Sequence, residues 1–194
     1  MALHASPSSL IHETVQDCLT GVNLLLEFRK QDGGCLGYPA CLQLFAIVNA
    51  LGTMIAGEPI TPANGRKTVT SGEPYLVFNH KIFGLQLHFE EIKALEKCGR
   101  NPLAHDALLG QRMFLLASNE LPEFAFFSER IEIRVFSFYH LVQRAWERLD
   151  KARLEKVTLE VPRIDFSKFP DAVGSVPTAA SGCILVDPKY TRKM

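Results

Sequence analysis

Three residues close together in the chain, Arg100, Asn101 and His105, have types and spacing that could do chemistry. They lie in the stretch Arg100-Asn101-Pro102-Leu103-Ala104-His105. Arginine is a permanent cation. Asparagine is a neutral hydrogen-bonding group, and histidine is a proton carrier with an ordinary pKa of about 6.5. Asn101 and His105 are four positions apart, so on one helix they share a side. The combination suits phosphate-ester chemistry without a metal. His105 could take the proton of a ribose 2′-hydroxyl or protonate the leaving oxygen, and Arg100 could neutralise charge on the phosphoryl oxygens. Each residue also has a plain structural role open to it. An arginine near a helix end caps carbonyls or pairs with a carboxylate, and Glu96 and Asp106 are close in sequence. Asn101 could act only as a cap, and a lone histidine is more often structural than catalytic.

The elements around this stretch follow from apolar spacing. Pro102 stands where a helix can begin and where a helix interior cannot continue. Asn101 before it is a good N-cap. Arg100 therefore closes one helix, and His105 lies one turn into the next. The helix ending at Arg100 is marked by Phe89, Ile92, Ala94, Leu95 and Cys98, with Gly99 at its end. Upstream, Tyr75, Phe78, Ile82 and Phe83 form another apolar set. A first helix starts at Pro7-Ser8-Ser9, with Ser8 or Ser9 as cap. It carries Ile11, Val15, Cys18, Leu19, Val22, Leu25, Leu26 and Phe28, and stops at Asp32-Gly33-Gly34. A second helix follows Pro39 and runs to about Ala56; its apolar positions cover most of the circumference, which predicts a place at the centre of a bundle. Residues 57–74 form a connection rich in Gly, Pro, Thr and Ser.

Arg112–Ala117 and Glu123–Ser128 read as the two strands of a β-hairpin with Ser118–Pro122 as its turn. A strong helix follows, from Ile131 or Val135 to about Lys156. It places Phe138, Leu141, Val142, Ala145, Trp146 and Leu149 on one face and a mixed-charge, solvated face opposite. The expected fold is thus mainly α: a bundle of about four to five helices with a small β-hairpin before the last long helix. Residues 1–156 make the helical domain. Residues 157–194 contain Pro162, Pro170, Pro177 and Pro188 among apolar residues such as Leu159, Ile164 and Phe166. They are expected to form an extended C-terminal arm packing on the domain or on a partner.

Other candidate sites are weaker. His80 and His88 lie on different segments, with no further ligands to complete a metal site. Glu90 and Glu91 are adjacent and point to different sides of a helix, so they are not a hydrolytic carboxylate pair. Tyr139-His140 reads as a packing and surface pair. No Gly-rich phosphate loop and no G-x-S-x-G is present. No metal ligands and no cofactor are expected.

Composition narrows the class. The chain has 194 residues, 47% hydrophobic and 22% charged, which suits one folded domain with a real core. Twenty-one Lys and Arg balance 21 Asp and Glu, so indiscriminate coating of nucleic acid is not expected; a nucleic acid would have to be met locally. The five cysteines, Cys18, Cys35, Cys41, Cys98 and Cys183, are irregularly spaced and include no C-x-x-C. Reduced thiols in a cytoplasmic protein are the simplest account. No secretory signal is read at the start. Leu36–Gly57 carries no charge, but Gly37, Pro39, Gln43, Asn49 and Thr53 interrupt it, which favours a buried helix over a membrane span.

Arg-Asn, three residues and His, on helices in an all-α setting, resembles the HEPN superfamily (higher eukaryotes and prokaryotes nucleotide-binding domain). Its hallmark is Arg, four to six residues, then His, commonly with a polar residue after the Arg. Tyr38-Pro39-Ala40 leading into an apolar second helix, and a hairpin before the last long helix, also resemble bacterial members. The resemblance covers roughly residues 8–156. It implies a helical bundle that dimerises with the two motifs facing each other. It further implies a metal-independent endoribonuclease, often the toxin or defence component of a two-gene system whose antitoxin is of nucleotidyltransferase type. Arg100 and His105 would then be catalytic and Asn101 supporting. Some members have lost catalysis and bind nucleotides, RNA or protein partners, so an inactive dimeric module is the alternative. Asp106 beside His105 would orient it or repel RNA phosphates.

Overall fold

The computed structural model describes residues 7–31, 33–60, 63, 67–68, 72–100 and 112–156. Among them the chain is mainly α, with a small sheet before the last long helix. Helix α1 spans Pro7–Glu27. It begins at Pro7 itself, so Ser8 and Ser9 lie inside the first turn and are not caps before it; proline's fixed φ suits that opening position. The helix ends at Glu27, short of the Asp32-Gly33-Gly34 stop. Arg29 turns back there, its Nη1 donating to the Leu26 carbonyl at 2.5 Å, which satisfies a C-terminal carbonyl that has no partner within the helix. Phe28, counted by spacing with the core, is exposed beyond that end.

Helix α2, Gly37–Met54, is the centre of the bundle. Ala40, Cys41, Leu44, Phe45, Ile47, Val48 and Leu51 are all buried. Each fully buried large apolar side chain stabilises by about 1.5–3 kcal/mol, so α2 organises the domain by burial and not by helix propensity. No helix among the described residues is long and apolar enough to cross a membrane.

After α2 the chain makes a two-residue antiparallel ladder, β1 (Pro59–Ile60) with β2 (Lys67–Thr68). It then makes a buried 3-10 turn, Pro74–Asn79. Asn79 holds the next loop by pairing twice with Leu87: its Nδ2 donates to the Leu87 carbonyl at 2.6 Å and its Oδ1 accepts from the Leu87 N–H at 2.9 Å. Helix α3, Phe89–Ala94, starts there, and Glu91 accepts the His88 N–H at 2.7 Å. The helix continues without a break as a wider π-helical turn, Leu95–Arg100.

The strands after this point pair differently from a simple hairpin. β3 (Met113–Leu116) and β4 (Phe124–Phe126) both form where expected, but not with each other. Between them lies β5, Ile131–Arg134, parallel to β3 and antiparallel to β4. The reason is the connection. Phe127–Arg130 closes the antiparallel pair tightly, the Phe127 N–H donating to the Arg130 carbonyl at 2.9 Å. A parallel pair needs a longer crossover, and the route from β3 to β5 contains β4. Ile133 is fully buried while Glu132 and Arg134 lie on the opposite face of the strand, only partly buried and each paired with a charged partner, the two-residue alternation of a strand. The last helix, α4, therefore runs Val135–Arg148 and excludes Ile131. A separate 3-10 turn, Lys151–Lys156, follows. Its predicted faces hold: Phe138, Leu141, Val142, Ala145 and Trp146 are buried, and Arg144, Glu147 and Arg148 are exposed. The 157–194 arm lies outside the described residues.

Candidate functional site

Arg100 is the last residue of the π-helical turn and is half-buried. Its placement begins two elements upstream. α2 brings Gly52 against the start of the Pro74–Asn79 turn, where a Cβ on residue 52 would stand 2.0 Å from the Pro74 carbonyl oxygen. Only glycine permits that approach. It lays Tyr75 over α2, with its ring edge-on to Phe45 at 6.0 Å and its hydroxyl donating to the Phe45 carbonyl at 3.2 Å. A second glycine does the same from the other side. A Cβ on Gly99 would meet Met113 Sδ at 3.0 Å and Phe45 Cζ at 3.1 Å, so the π turn sits directly on the Phe45 ring. A π turn is a common local departure at functional sites.

These contacts bring Arg100 close enough to Tyr75 for its charge to act on the phenol. Burial pushes the Tyr75 phenol above its ordinary value; the Arg100 charge and hydrogen bond oppose this, and Glu96 adds to it. Tyr75 stays a neutral phenol at any physiological pH, able to donate and accept at once. On the far side of the turn, Glu96 binds Lys93 at 2.9 Å, and Lys93 also lies 3.9 Å from Glu73.

Of the three site residues expected from sequence, the structure places Arg100, at the last described position of the π turn. Asn101, His105 and the Pro102 helix start lie outside the described residues. Tyr75 was read only as an apolar position. The clue available in sequence was its hydroxyl, since a buried phenol needs a partner where a phenylalanine does not.

A second polar cluster was also missed. His80 is buried, and its Nε2 lies 3.0 Å from Glu58 Oε2, while Arg153 pairs with the other Glu58 oxygen. The Ile82 N–H lies 3.4 Å from His80 Nδ1. Nδ1 is thus the acceptor, and Nε2 carries the proton donated to Glu58. With both ring nitrogens engaged, the trio ties the loop after α2 to the Lys151–Lys156 turn and offers no free base. His88 is exposed and apart from it. No group of three or more His, Cys, Asp or Glu among the described residues is placed to hold a metal ion. The rings of Tyr139 and His140 lie 5.2 Å apart and tilted, half-buried and exposed respectively.

No family model, no curated protein and no solved structure matches this chain.

Proposed function

We propose that the protein is a HEPN-type, metal-independent endoribonuclease acting through Arg100, Asn101 and His105, as one half of a homodimer. The observation that carries this reading is the situation of Arg100. Arg100, half-buried at the last described position of a π turn, opens the Arg-Asn-x-x-x-His sequence and lies within electrostatic reach of the buried Tyr75 phenol. In the reaction, the ribose 2′-oxygen forms a bond to phosphorus while the bond from phosphorus to the 5′-oxygen breaks. One His105 accepts the 2′-hydroxyl proton, and a second, from the partner subunit or after proton exchange, protonates the departing 5′-oxygen. Arg100 stabilises the charge gathered on the non-bridging oxygens, and Asn101 supports the motif. A nucleotidyltransferase-type antitoxin encoded alongside is the partner this reading calls for.

The second reading is an inactive dimeric module of the same type that binds a nucleotide, RNA or a protein. The zero net charge favours it, because tight RNA binding usually draws on a basic surface. Incubation of purified protein with RNA in a chelator separates the two. The nuclease reading expects cleavage leaving 2′,3′-cyclic phosphate ends, lost in His105→Ala. RNA left intact, or equal activity in His105→Ala, refutes it.

A further inference from the structure

We propose that the open edge of β3 is the seat of a second copy of this chain: two copies pair β3 with β3 in antiparallel register about Leu115, and their sheets join across a two-fold axis. This edge gives the homodimer of the nuclease reading a surface, but it is read from the sheet alone and involves no residue of the Arg-Asn-x-x-x-His sequence.

β3 (Met113–Leu116) is an outer strand, with β5 on one side and, among the described residues, no strand on the other. The Ile131 N–H donates to the Arg112 carbonyl at 2.7 Å, and Met113 stands opposite Ile131. In a parallel ladder this turns the N–H and C=O of Phe114 and Leu116 towards β5, and those of Met113 and Leu115 towards the open edge. Such a row is a template for another strand, and edges that stay unpaired are blunted by a charge, a proline, a bulge or a cover. Met-Phe-Leu-Leu carries no charge and no proline, and it keeps a regular register with β5. The opposite edge is treated differently. β4 is only three residues long and follows Pro122 and the buried Glu123, and Arg130 lies over the exposed Phe127 ring beside it at 4.6 Å.

The side chains match the open backbone. Phe114 is 50% exposed and Leu116 36%, and neither takes part in the core. The charged residues opposite them on β5 are already paired, Glu132 with Arg130 at 2.8 Å and Arg134 with Glu120 at 4.0 Å. On the inner face, Ile133 of the middle strand is fully buried, while Leu115 opposite it on β3 is half-buried, as expected of a strand with a neighbour on one side only.

A second copy fits because this edge is complementary to itself. In a two-fold pair, residue i meets j and j meets i. Centring the pair on Leu115 sets Phe114 against Leu116 of the partner subunit, twice over. Centring on Phe114 would set Leu116 against Arg112 of the partner subunit, and centring on Leu116 would set Phe114 against Ser118 of the partner subunit. Only the Leu115 register places every exposed apolar side chain of β3 against another, and aromatic–aliphatic pairs across strands are stabilising. The zero net charge lets two copies approach without overall repulsion.

A short strand pair buries little surface, so the dimer is of the weak, transient kind. Sedimentation equilibrium of the full chain, from low to high micromolar concentration, should show monomer passing to dimer. Phe114→Lys and Leu116→Glu each put a charge against an apolar side chain twice in the dimer, and each should weaken it by at least about tenfold. Mixed in equal amounts, the two variants form a heterodimer with one pair of opposite charges and one Phe–Leu pair, so association should return to within about threefold of wild type. Both positions are exposed, so both variants should keep the wild-type melting temperature. Wild-type protein that stays monomeric overturns the proposal. So does a dimer that either variant leaves intact, and so do variants that fail to associate on mixing. If a variant does not fold, hydrogen exchange on wild type decides. The Leu115 N–H should be protected at high concentration and lose at least about tenfold in protection on dilution. Protection that is absent throughout overturns the proposal, as does protection independent of concentration, which would mean that the chain closes its own edge. RNA cleavage is not read in these measurements, so failure here and failure of the nuclease reading are separate results.

Discussion

Replacing Gly52 by alanine sets two local effects against each other, and the structure decides between them. Gly52 lies inside α2, where a mid-helix glycine is less favourable than alanine by about 1 kcal/mol. Propensity alone therefore predicts a more stable protein. The added Cβ, however, would stand 2.0 Å from the Pro74 oxygen, 2.6 Å from its carbonyl carbon and 2.8 Å from its Cα. Ordinary contact between heavy atoms is about 3.5–4.0 Å, so the Pro74–Asn79 turn must retreat by about 1.5 Å. All six residues of that turn are buried, and the obstacle is backbone, which cannot change rotamer. Overpacking in a full core costs about 1–3 kcal/mol, occasionally more, and this case belongs at the upper end. The net expectation is a loss of about 2 kcal/mol. At about 2–4 °C per kcal/mol for a domain of this size, the melting temperature falls by about 4–8 °C. Trp146 is the only tryptophan and is buried, so its fluorescence follows unfolding directly. Gly21→Ala is the matched control. It is also helical, and its Cβ would meet only the Gln43 side-chain amide, at 3.2 Å, which can swing away. It should be neutral or raise stability by up to about 1 kcal/mol. A Gly52→Ala protein that melts at or above the wild-type temperature would refute the reasoning that Pro74 and Tyr75 are held by close approach to α2.

Two further outcomes follow from the buried ionisable groups. Burial raises the thiol of Cys41 and is the largest cause of the raised Tyr75 phenol, so the folded protein keeps protons that the unfolded chain gives up at about pH 8.5 and 10. Above those values the unfolded state binds fewer protons, and stability falls as pH rises. Melting curves at increasing pH should show this loss, shallower above about pH 10 in Tyr75→Phe; parallel curves for the two proteins would count against a buried neutral phenol. Cys41 should also resist alkylation in the native state, since the thiolate is the nucleophile, while Cys18, Cys35 and Cys98 are half-buried and should react first. Peptide mass spectrometry after a brief iodoacetamide pulse checks this, and early modification of Cys41 would contradict its burial.

What the sequence by itself determined was local. Apolar residues at helical spacing marked α1, α2, α3 and α4, because residues three and four apart share a face whatever lies opposite. The near-continuous apolar surface of α2 marked it as central. Even here the ends slipped where a local rule had a competitor, as at Ser8, at Phe28 and at Ile131-Glu132-Ile133-Arg134, whose alternating charges fit the start of a helix as well as a strand. The tertiary structure alone decided which elements meet. β4 could not be seen to pair with β5 and leave β3, because register and partner choice depend on the faces that the rest of the fold buries. The His80–Glu58–Arg153 trio joins segments distant in sequence. Tyr75 and Phe45 are 30 residues apart, and nothing in their spacing shows that two glycines let three elements close around one carbonyl. Arg100 was legible as a candidate site residue from its neighbours in sequence. Its nearness to Tyr75 was not, because that depends on the close approaches at Gly52 and Gly99 that the tertiary structure makes.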